Sequence, residues 1–323
     1  MCLNPTLVVN KHFTPNRKNG FKIPFCDDKR KLWVSAPCGY CIECRKKKSN
    51  DWKIRITEEM NNGLKCWFVN LSFSNKSIFL LEERFKLKHK RDADANDVAT
   101  LAIRLYFENI RKKLKVSLKH IFFTELGHRN SHRIHLHGLI WNTSNFDNNT
   151  VLDVIKSKWR RGIVFIGNEA SLKTVNYIVK YLLKSDCDNP GFISKCLCSP
   201  GIGKSYLNKP DATRNVFNDN NTNECYRYTT GKKGSLPTYY RNKLYTDDER
   251  DKLWVNKLDK CERYVMGQRI DVSTDSGITE YINAVKYWLS RDIQEGNFNS
   301  KYLSRQERKV YNAMMKDFRI DKG

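Results

Sequence analysis

The sequence contains no long apolar run. A helix that crosses a membrane needs about 20 consecutive, mostly apolar residues, and none of the 323 residues lies in such a stretch. The opening residues, MCLNPTLVVNKHF, also lack the succession of basic, apolar and small residues that marks a secretory signal. We therefore expect a cytoplasmic protein that does not associate with membranes.

Acidic residues are scarce relative to basic ones. The chain has 35 Asp and Glu against 59 Lys and Arg, a formal net charge of +24. This excess is larger than solubility requires and favours a polyanionic partner; a generically basic soluble protein is the alternative. The eleven cysteines are expected to be reduced thiols or metal ligands, because no secretion signal accompanies them.

Internal repeats are absent, and the order of the elements predicts an α+β fold with a central, largely antiparallel sheet flanked by helices. Apolar periodicity and β-branched or aromatic runs predict strands at 66–74, 119–126, 133–141 and 163–166, and helices at 39–61, 98–114, 150–159 and 171–183. The last quarter of the chain is predicted to be mostly helical. We divide the chain into a Cys-rich basic segment (1–62), a core (63–190) and a basic, partly helical C-terminal extension (191–323).

His135 and His137 flank Leu136 in the segment HRIHLHG. Alternate residues of a strand point to the same face, so both imidazoles converge while Leu136 packs behind the sheet. If strands 119–126 and 133–141 form a hairpin with Glu125 opposite His135, a carboxylate joins the imidazoles. This donor set suits Mg²⁺ or Mn²⁺ acting as a Lewis acid on a phosphate oxygen. Histidines that serve only packing are the alternative.

The segment NYIVKYLLK places two tyrosines and two lysines at helical spacing. Positions i, i+3, i+4 and i+7 share one face of a helix, so Tyr177, Lys180, Tyr181 and Lys184 form one stripe, away from the apolar residues. The lysines are expected to hold a phosphate and to lower the pKa of the phenols, which would make the tyrosines nucleophiles towards a phosphodiester. An amphipathic helix with merely exposed tyrosines is the alternative.

Together these residues resemble the HUH endonucleases, in particular rolling-circle replication initiators with two active-site tyrosines. HRIHLHG resembles the metal motif of that family, and Tyr177–Lys180 and Tyr181–Lys184 each resemble its Tyr-x-x-Lys motif. Residues 68–73, FVNLSF, are similar to its first motif, and Glu125 stands where many members carry a third metal ligand. The resemblance implies metal-dependent nicking of DNA through a 5′-phosphotyrosine. Because such a linkage conserves the phosphodiester energy, no ATP is needed for rejoining.

Longer phrases are similar to the replication initiators of gokushoviruses, small single-stranded DNA phages of the microvirus family. They are CGYCIECRKKKSNDW, FTELGHRNSHRIHLHGLIW, VNYIVKYLLK, SPGIGKSY and LPTYYRNKLYTDDER. The resemblance implies a protein that nicks and rejoins viral origin DNA in the cytoplasm of a bacterial host, where host helicase and polymerase displace the strand. The alternatives are a plasmid relaxase or transposase of the same superfamily, and a non-catalytic zinc-containing nucleic-acid-binding protein.

Four cysteines near the beginning of the chain have the spacing C-x11-C-x2-C-x2-C, and they are Cys26, Cys38, Cys41 and Cys44. Four thiolates can bind structural Zn²⁺ tetrahedrally, and Cys2 could substitute for one of them. An iron–sulfur cluster is less favoured because no Cys-Pro follows Cys44. Reduced cysteines without a metal are the alternative.

Several basic and aromatic residues outside the core are predicted to contact DNA. A basic run beside the cysteines and a segment that interleaves tyrosines with positive charge are typical of surfaces that follow a nucleic-acid backbone; the candidates are Arg45, Lys46, Lys47, Lys48, Tyr240, Arg241 and Lys243. Gly203-Lys204-Ser205 is not a nucleotide P-loop, because Cys198 stands where that motif requires glycine. We expect Lys204 and its loop near DNA phosphates instead.

Overall fold

The computed structural model describes residues 2–127, 132–184 and 192–294. These residues form two compact units, which we call the terminal unit (2–51 and 209–294) and the core unit (52–184 and 192–208). The segments before residue 52 and after residue 208 thus contribute to one unit. Nowhere in the described ranges is a helix both long and apolar enough to cross a membrane.

Strands and helices are interspersed along the chain, and several neighbouring strands form hairpins. The strands are β1 Thr6–Val9, β2 Trp33–Ala36, β3 Cys66–Ser72, β4 Lys119–Leu126, β5 Ile134–Trp141, β6 Val164–Glu169, β7 Cys196–Cys198, β8 Cys225–Arg227, β9 Lys233–Ser235, β10 Glu262–Val265 and β11 Gln268–Asp271. The helices are α1 Ile42–Met60, α2 Asn75–His89, α3 Ala95–Leu114, α4 Asn148–Lys158, α5 Leu172–Val179, α6 Pro210–Thr213, α7 Thr238–Leu244, α8 Asp247–Asp259 and α9 Asp275–Gln294.

The core unit is built on a five-stranded sheet in the order β6-β3-β5-β4-β7. Every neighbouring pair is antiparallel, which confirms the predicted fold class. On one face Leu71 and Leu136 pack with Tyr106 of α3 and Ile155 of α4. The Tyr106 hydroxyl donates a hydrogen bond to the Ile155 carbonyl over 2.8 Å. This face therefore joins the sheet to α3 and α4.

The opposite face of the sheet packs against α5. Phe123, Leu139 and Trp141 are fully buried there, in one cluster with Ile178 of α5 and Ile56 of α1. Because side chains alternate along a strand, His135 and His137 point to this same face as Leu139. The histidines therefore face the helix that carries the tyrosines.

Gly138 allows β4 and β5, the two strands of the hairpin, to pack closely. A Cβ at this position would lie 2.2 Å from the Ile121 carbonyl oxygen and 2.5 Å from Cδ1 of Phe122. Both distances are shorter than van der Waals contact, so a larger residue would have to displace β4. The glycine that follows the two histidines is a packing requirement of the sheet.

Two helices differ from the predictions. Residues 75–89, for which no element was predicted, form α2, whose N-terminus is capped by the Ser74 side chain. The helix predicted at 171–183 ends earlier, because α5 stops at Val179 and Lys180–Leu182 form a 3₁₀ turn. A 3₁₀ turn has about 3.0 residues per turn instead of 3.6. The side chains after Val179 therefore point in other directions than a continuous α-helix would give them.

The terminal unit has its own small core. Leu3, Cys41, Ile270 and Tyr281 are buried together with other apolar side chains of the β10–β11 hairpin and α9. This hairpin is antiparallel and pairs Glu262 with Asp271. The prediction that the last quarter of the chain is mostly helical was therefore wrong for residues 262–271. In this unit β1 also pairs with β2, and β8 with β9.

Candidate active site

The β4–β5 hairpin has the predicted register. Glu125 is the direct partner of His135, and Phe123 is the partner of His137. The Oε2 atom of Glu125 lies 2.8 Å from Nε2 of His137. The carboxylate and both imidazoles thus belong to one face of two adjacent strands, as the alternation of the sequence indicated.

Glu125 is held in its ionised form. Burial on its own would raise the pKa of Glu125, but the hydrogen bonds to His137 and Lys184 outweigh it and lower the pKa to about 2. The Nζ atom of Lys184 lies 2.6 Å from Oε1 of Glu125. Lys184, predicted to hold a phosphate, is therefore engaged by this carboxylate. Burial also lowers the pKa of His135, which favours the neutral imidazole that metal coordination requires.

The two tyrosines lie next to each other and differ in exposure. The Tyr181 hydroxyl donates a hydrogen bond of 2.7 Å to the Tyr177 hydroxyl oxygen. Tyr177 is 43% exposed, whereas Tyr181 is only 6% exposed. The Tyr181 ring stacks on His137 with centroids 4.3 Å apart and planes 10° from parallel. The pair therefore connects the histidine face of the sheet to an accessible phenol.

Tyr181 departs from the prediction in two respects. It was expected on an exposed stripe with a lowered pKa, but it is buried among apolar residues, and burial raises the pKa of its phenol. The 3₁₀ turn at Lys180–Leu182 is the local cause, because it rotates residue 181 towards the sheet. The Tyr181 phenol is therefore kept protonated in this arrangement.

Lys180 covers both rings. Its Nζ atom lies 4.0 Å from the centroid of the Tyr177 ring and 5.4 Å from that of the Tyr181 ring. An ammonium group within about 6 Å of an aromatic face is attracted to the ring. Lys180 thus places a positive charge beside the phenols, as predicted for the first Tyr-x-x-Lys pair.

The sequence did not single out Asn70, which belongs to this site. Asn70 is the direct partner of His137 across β3 and β5, so both side chains share one face. Its Oδ1 atom and Nδ1 of His137 are buried, and both lack a hydrogen-bond partner. Buried polar atoms are almost always paired. Two such atoms on one face are what a site for a bound ligand provides; the signal in the sequence is the polar residue within the apolar strand FVNLSF.

The donor atoms of Glu125, His135 and His137 are of types that bind divalent cations, and all three side chains lie on one face of the sheet. Imidazole nitrogens and a carboxylate are suitable ligands for Mn²⁺, and carboxylate oxygens for Mg²⁺. The three predicted ligands are not gathered around one point, however. Among the described residues, only Cys2, Cys38, Cys41 and Cys44 bring three or more candidate ligand atoms within 4.8 Å of one another. Glu125 and His137 are in contact, but with His135 they do not form such a group of three.

The cysteine group differs from the prediction in one member. Cys26 is not part of it, and its thiol donates instead to the Asp28 carbonyl oxygen over 3.1 Å. Cys2 takes the place that the spacing assigned to Cys26. Proximity along the chain favoured Cys26, but the fold brings the beginning of the chain to the end of the CxxC segment.

Three of the predicted DNA contacts are used inside the terminal unit. Arg45 is buried and lies 3.3 Å from Asp292, Tyr240 is fully buried, and Arg241 pairs with Glu224 at 2.6 Å. Arg45 and Tyr240 are too deeply buried in this arrangement to contact DNA as predicted, whereas Arg241 stays partly exposed beside its carboxylate partner. The remaining candidates are exposed or partly exposed, namely Lys46, Lys47, Lys48, Lys204 and Lys243.

The loop around Gly203 is anchored by the protein itself. The Gly203 N–H donates to Glu59 over 2.8 Å, and the same carboxylate accepts from Lys119 over 2.6 Å. Arg55 donates to the Ile202 carbonyl over 3.1 Å. The loop was predicted near DNA phosphates, but its backbone N–H at Gly203 is already bound to a carboxylate.

The candidate active site lies within a part of the chain that matches a known protein family. Residues 66–186 match the family model of the replication-associated protein ORF2/gene 2 protein. The matched residues contain both histidines, Glu125 and both tyrosines, and they include all of the core sheet except β7. Neither a curated protein nor a solved structure gives a significant match. The family match supports a rolling-circle replication initiator.

Proposed function

We propose that the protein is a site-specific DNA nicking and joining enzyme that initiates and terminates rolling-circle replication of a small single-stranded DNA phage genome. The observation that carries this proposal is the contact of two phenols, 2.7 Å apart, beside His137 and Glu125. The match to a replication-associated family supports origin DNA as the substrate. Two adjacent nucleophiles suit a reaction that must cut one strand and later rejoin it.

Tyr177 makes the first attack. It is the exposed residue of the pair, whereas Tyr181 is covered, so a strand of DNA reaches Tyr177 first. The Tyr177 oxygen forms a bond to phosphorus while the bond from phosphorus to the 3′ oxygen breaks. The phenol proton is lost to solvent, and the departing 3′ oxygen takes up a proton. The product is a 5′-phosphotyrosine with a 3′ hydroxyl.

Tyr181 acts when the origin has been regenerated by the host helicase and polymerase. Its oxygen attacks the new origin phosphate, and the 3′ hydroxyl released there attacks the phosphotyrosine at Tyr177. The bond from phosphorus to the Tyr177 oxygen then breaks, and the viral strand closes into a circle. The energy of the original phosphodiester is retained in each linkage, so the cycle requires no ATP.

The surrounding residues orient and charge the site. Lys180, whose ammonium group lies over the phenol rings, binds the phosphate under attack. Glu125, His135 and His137 would hold Mg²⁺ or Mn²⁺, which when bound supplies Lewis-acid polarisation of a phosphate oxygen. Lys184 fixes the Glu125 carboxylate and so positions one of these ligands.

An origin-cleavage assay tests this proposal. Full-length protein is incubated, in the presence of Mn²⁺, with a supercoiled plasmid that carries the phage origin. The expected product is an open circle with covalently attached protein. The Tyr177→Phe/Tyr181→Phe double variant should yield neither open circles nor adduct. Nicking that survives this double change would contradict the tyrosine mechanism.

A further inference from the structure

Four cysteine sulfurs of the terminal unit converge on one point. The Sγ atoms of Cys2, Cys38, Cys41 and Cys44 all lie within 4.8 Å of one another. Cys2 and Cys41 are separated by 3.9 Å, and so are Cys38 and Cys44. A disulfide would require about 2.05 Å, and no disulfide occurs among the described cysteines. These sulfurs are close, but they are not bonded to each other.

The spacing of the sulfurs matches that around a single tetrahedral metal ion. Zn–S bonds of about 2.3 Å in a tetrahedron separate the sulfurs by about 3.8 Å. The separations of 3.9 Å for Cys2–Cys41 and for Cys38–Cys44 agree with this value. Four thiols gathered in this way favour zinc over the hard cations Mg²⁺ and Ca²⁺, which prefer oxygen ligands.

Backbone N–H groups point at the sulfurs. Cys38 donates to Cys2 Sγ over 3.2 Å, Leu3 donates to Cys41 Sγ over 3.4 Å, and Cys41 donates to Cys38 Sγ over 3.4 Å. Such donors stabilise negative charge on sulfur, which is the form that binds metal. The backbone is therefore already arranged for thiolates.

The cysteine group also lies where a metal would contribute to folding. Cys41 is fully buried in the small core that includes Leu3, Ile270 and Tyr281, and the other three cysteines pack against that core. A core of this size buries little apolar surface, and small domains commonly depend on a metal for stability. We infer that Cys2, Cys38, Cys41 and Cys44 bind one structural Zn²⁺ ion that fastens the beginning of the chain to the hairpin and α9.

Metal analysis of the full-length protein tests this inference. Wild-type protein is purified from zinc-supplemented cells, and its zinc content is measured by elemental mass spectrometry and by native mass. One zinc per chain is expected. The Cys2→Ser variant should lose zinc or bind it far more weakly, whereas Cys26→Ser, the matched control outside the group, should retain it.

The two variants decide which cysteines are ligands. Wild-type protein that carries no zinc, or that carries iron instead, would overturn the inference without any variant having to fold. Loss of zinc in Cys26→Ser with retention in Cys2→Ser would overturn the ligand assignment. Titration of apo wild-type protein with Co²⁺ gives a further readout. Tetrahedral coordination by thiolates produces strong visible absorption, whereas coordination by oxygen ligands does not.

A separate observation concerns the positive charge of the core unit. A groove of about 680 Å³ runs between α2, α3 and the segment after α4. No acidic side chain lines this groove. Six cationic side chains do, namely Arg84, Lys112, Lys113, Lys158, Arg160 and Arg161. No carboxylate of the described chain forms an ion pair with Arg84, Lys113, Lys158 or Arg160. The charges of the groove are therefore largely uncompensated.

The wall of this groove is rigidly attached to the sheet. The Ser74 N–H donates to the Arg161 carbonyl over 2.7 Å, and the Trp159 indole donates to the Ser72 carbonyl over 3.0 Å. A Cβ at Gly162 would lie 2.3 Å from the Ser72 carbonyl oxygen, so the segment approaches β3 as closely as glycine permits. Burial, together with the charge of Arg84, lowers the pKa of Arg161. A bound anion would relieve that repulsion.

We propose that this groove binds the phosphate backbone of a DNA segment flanking the cleaved site. It is lined by α2 and α3, on the face of the sheet opposite α5 and the tyrosines, so the DNA that it holds is not the DNA under attack. The choice of DNA rests on the proposed function. The proposal also gives a role to part of the charge excess, whereas Arg45 and Arg241 are paired within the terminal unit.

Binding of a fluorescent single-stranded oligonucleotide to full-length protein tests the groove. The Arg84→Ala/Lys113→Ala/Arg160→Ala variant should bind at least about tenfold more weakly than the wild type. Its plot of log K against log salt concentration should be less steep, by about 2 in slope. The control Lys29→Ala/Lys252→Ala/Lys260→Ala removes the same charge from exposed lysines elsewhere. Equal affinities of the two variants would overturn the proposal. Wild-type protein that binds but does not cut would instead count against the proposed function.

Discussion

The Tyr181 hydroxyl donates a hydrogen bond to the Tyr177 hydroxyl, and the two oxygens are 2.7 Å apart. One phenol is accessible and the other is covered, so the pair is asymmetric although the sequence repeats the same Tyr-x-x-Lys pattern. We expect this asymmetry to give the two residues different kinetic roles.

The first prediction concerns the order of the tyrosines. Tyr181→Phe removes one neutral hydrogen bond to the nucleophile, worth about 1 kcal/mol, and should slow the first cleavage by less than about tenfold. Tyr177→Phe should reduce it to background. Single-turnover cleavage of an origin oligonucleotide, followed by denaturing gel for the covalent adduct, measures both. A Tyr181→Phe variant that forms no adduct, beside an active Tyr177→Phe, would reverse the order.

The second prediction concerns the metal ligands. Treatment with EDTA should abolish nicking, and added Mn²⁺ should restore it. Glu125→Gln keeps the shape of the side chain but removes its charge, so the Mn²⁺ concentration at half-maximal activity should rise about tenfold or more. Lys184→Met removes the ion pair that positions the carboxylate but leaves the ligand charge in place, so its Mn²⁺ requirement should rise less than that of Glu125→Gln. Unchanged Mn²⁺ dependence in Glu125→Gln and in His137→Ala would remove these residues from the metal site.

The third prediction is a pH dependence of stability that originates at His120. Its ring stacks on Phe107 with centroids 3.5 Å apart, and Nδ1 lies 2.9 Å from the Ser199 hydroxyl. Burial lowers the pKa of His120 from 6.5 to about 4. A histidine with a depressed pKa in the folded state contributes stability above pH 6.5, and that contribution is lost as the pH falls towards 4.

Urea unfolding at pH 7.5 and pH 4.5 measures this contribution. We expect the wild type to lose about 2 kcal/mol more between the two pH values than His120→Gln, which cannot titrate. Comparing the variant with the wild type cancels the carboxylates that titrate in both proteins. Equal losses in the two proteins would show that His120 does not carry the effect.

The fourth prediction concerns Gly138. Gly138→Ala would place a methyl group against the Ile121 carbonyl and the Phe122 ring, and overpacking of this kind costs about 1–3 kcal/mol or more. Gly167→Ala is the matched control in the same sheet, because its Cβ would make an ordinary 3.4 Å contact with Phe68. Chemical denaturation should separate the two variants. Equal stabilities of Gly138→Ala and Gly167→Ala would show that β4 moves to accommodate a methyl group at residue 138 at little cost in stability.

The sequence was informative where a short-range rule applies. Alternation along two neighbouring strands limited the possible registers, because a shift by one residue would expose the apolar face; the pairing of Glu125 with His135 was assumed among those that remained, and the structure has it. The burial of Tyr181 was not predictable from helical periodicity, since the chain changes to a 3₁₀ turn after Val179. Cys2 was weighed only as a substitute, because its approach to Cys41 depends on the tertiary fold and not on spacing.

The helix α2 shows a different kind of error. No element was predicted for this segment, yet Ile78, Leu81 and Phe85 recur at helical spacing and contact or lie near the core. The Ser74 cap also preceded them in the sequence. The period was present in the sequence and could have been recognised. It matters for function because α2 supplies Arg84 to the basic groove.

Glu59 gives the loop at Gly203 an unexpected chemical character. A glycine-rich turn that exposes backbone N–H groups ordinarily attracts a phosphate, and here the attraction is satisfied from within by a fully buried carboxylate. The same carboxylate accepts a hydrogen bond from Lys119, so one negative charge ties α1 to β4 and to the turn after β7. The carboxylate of Glu59 therefore stands where a bound anion would otherwise lie, and the turn serves as a structural link within the core unit.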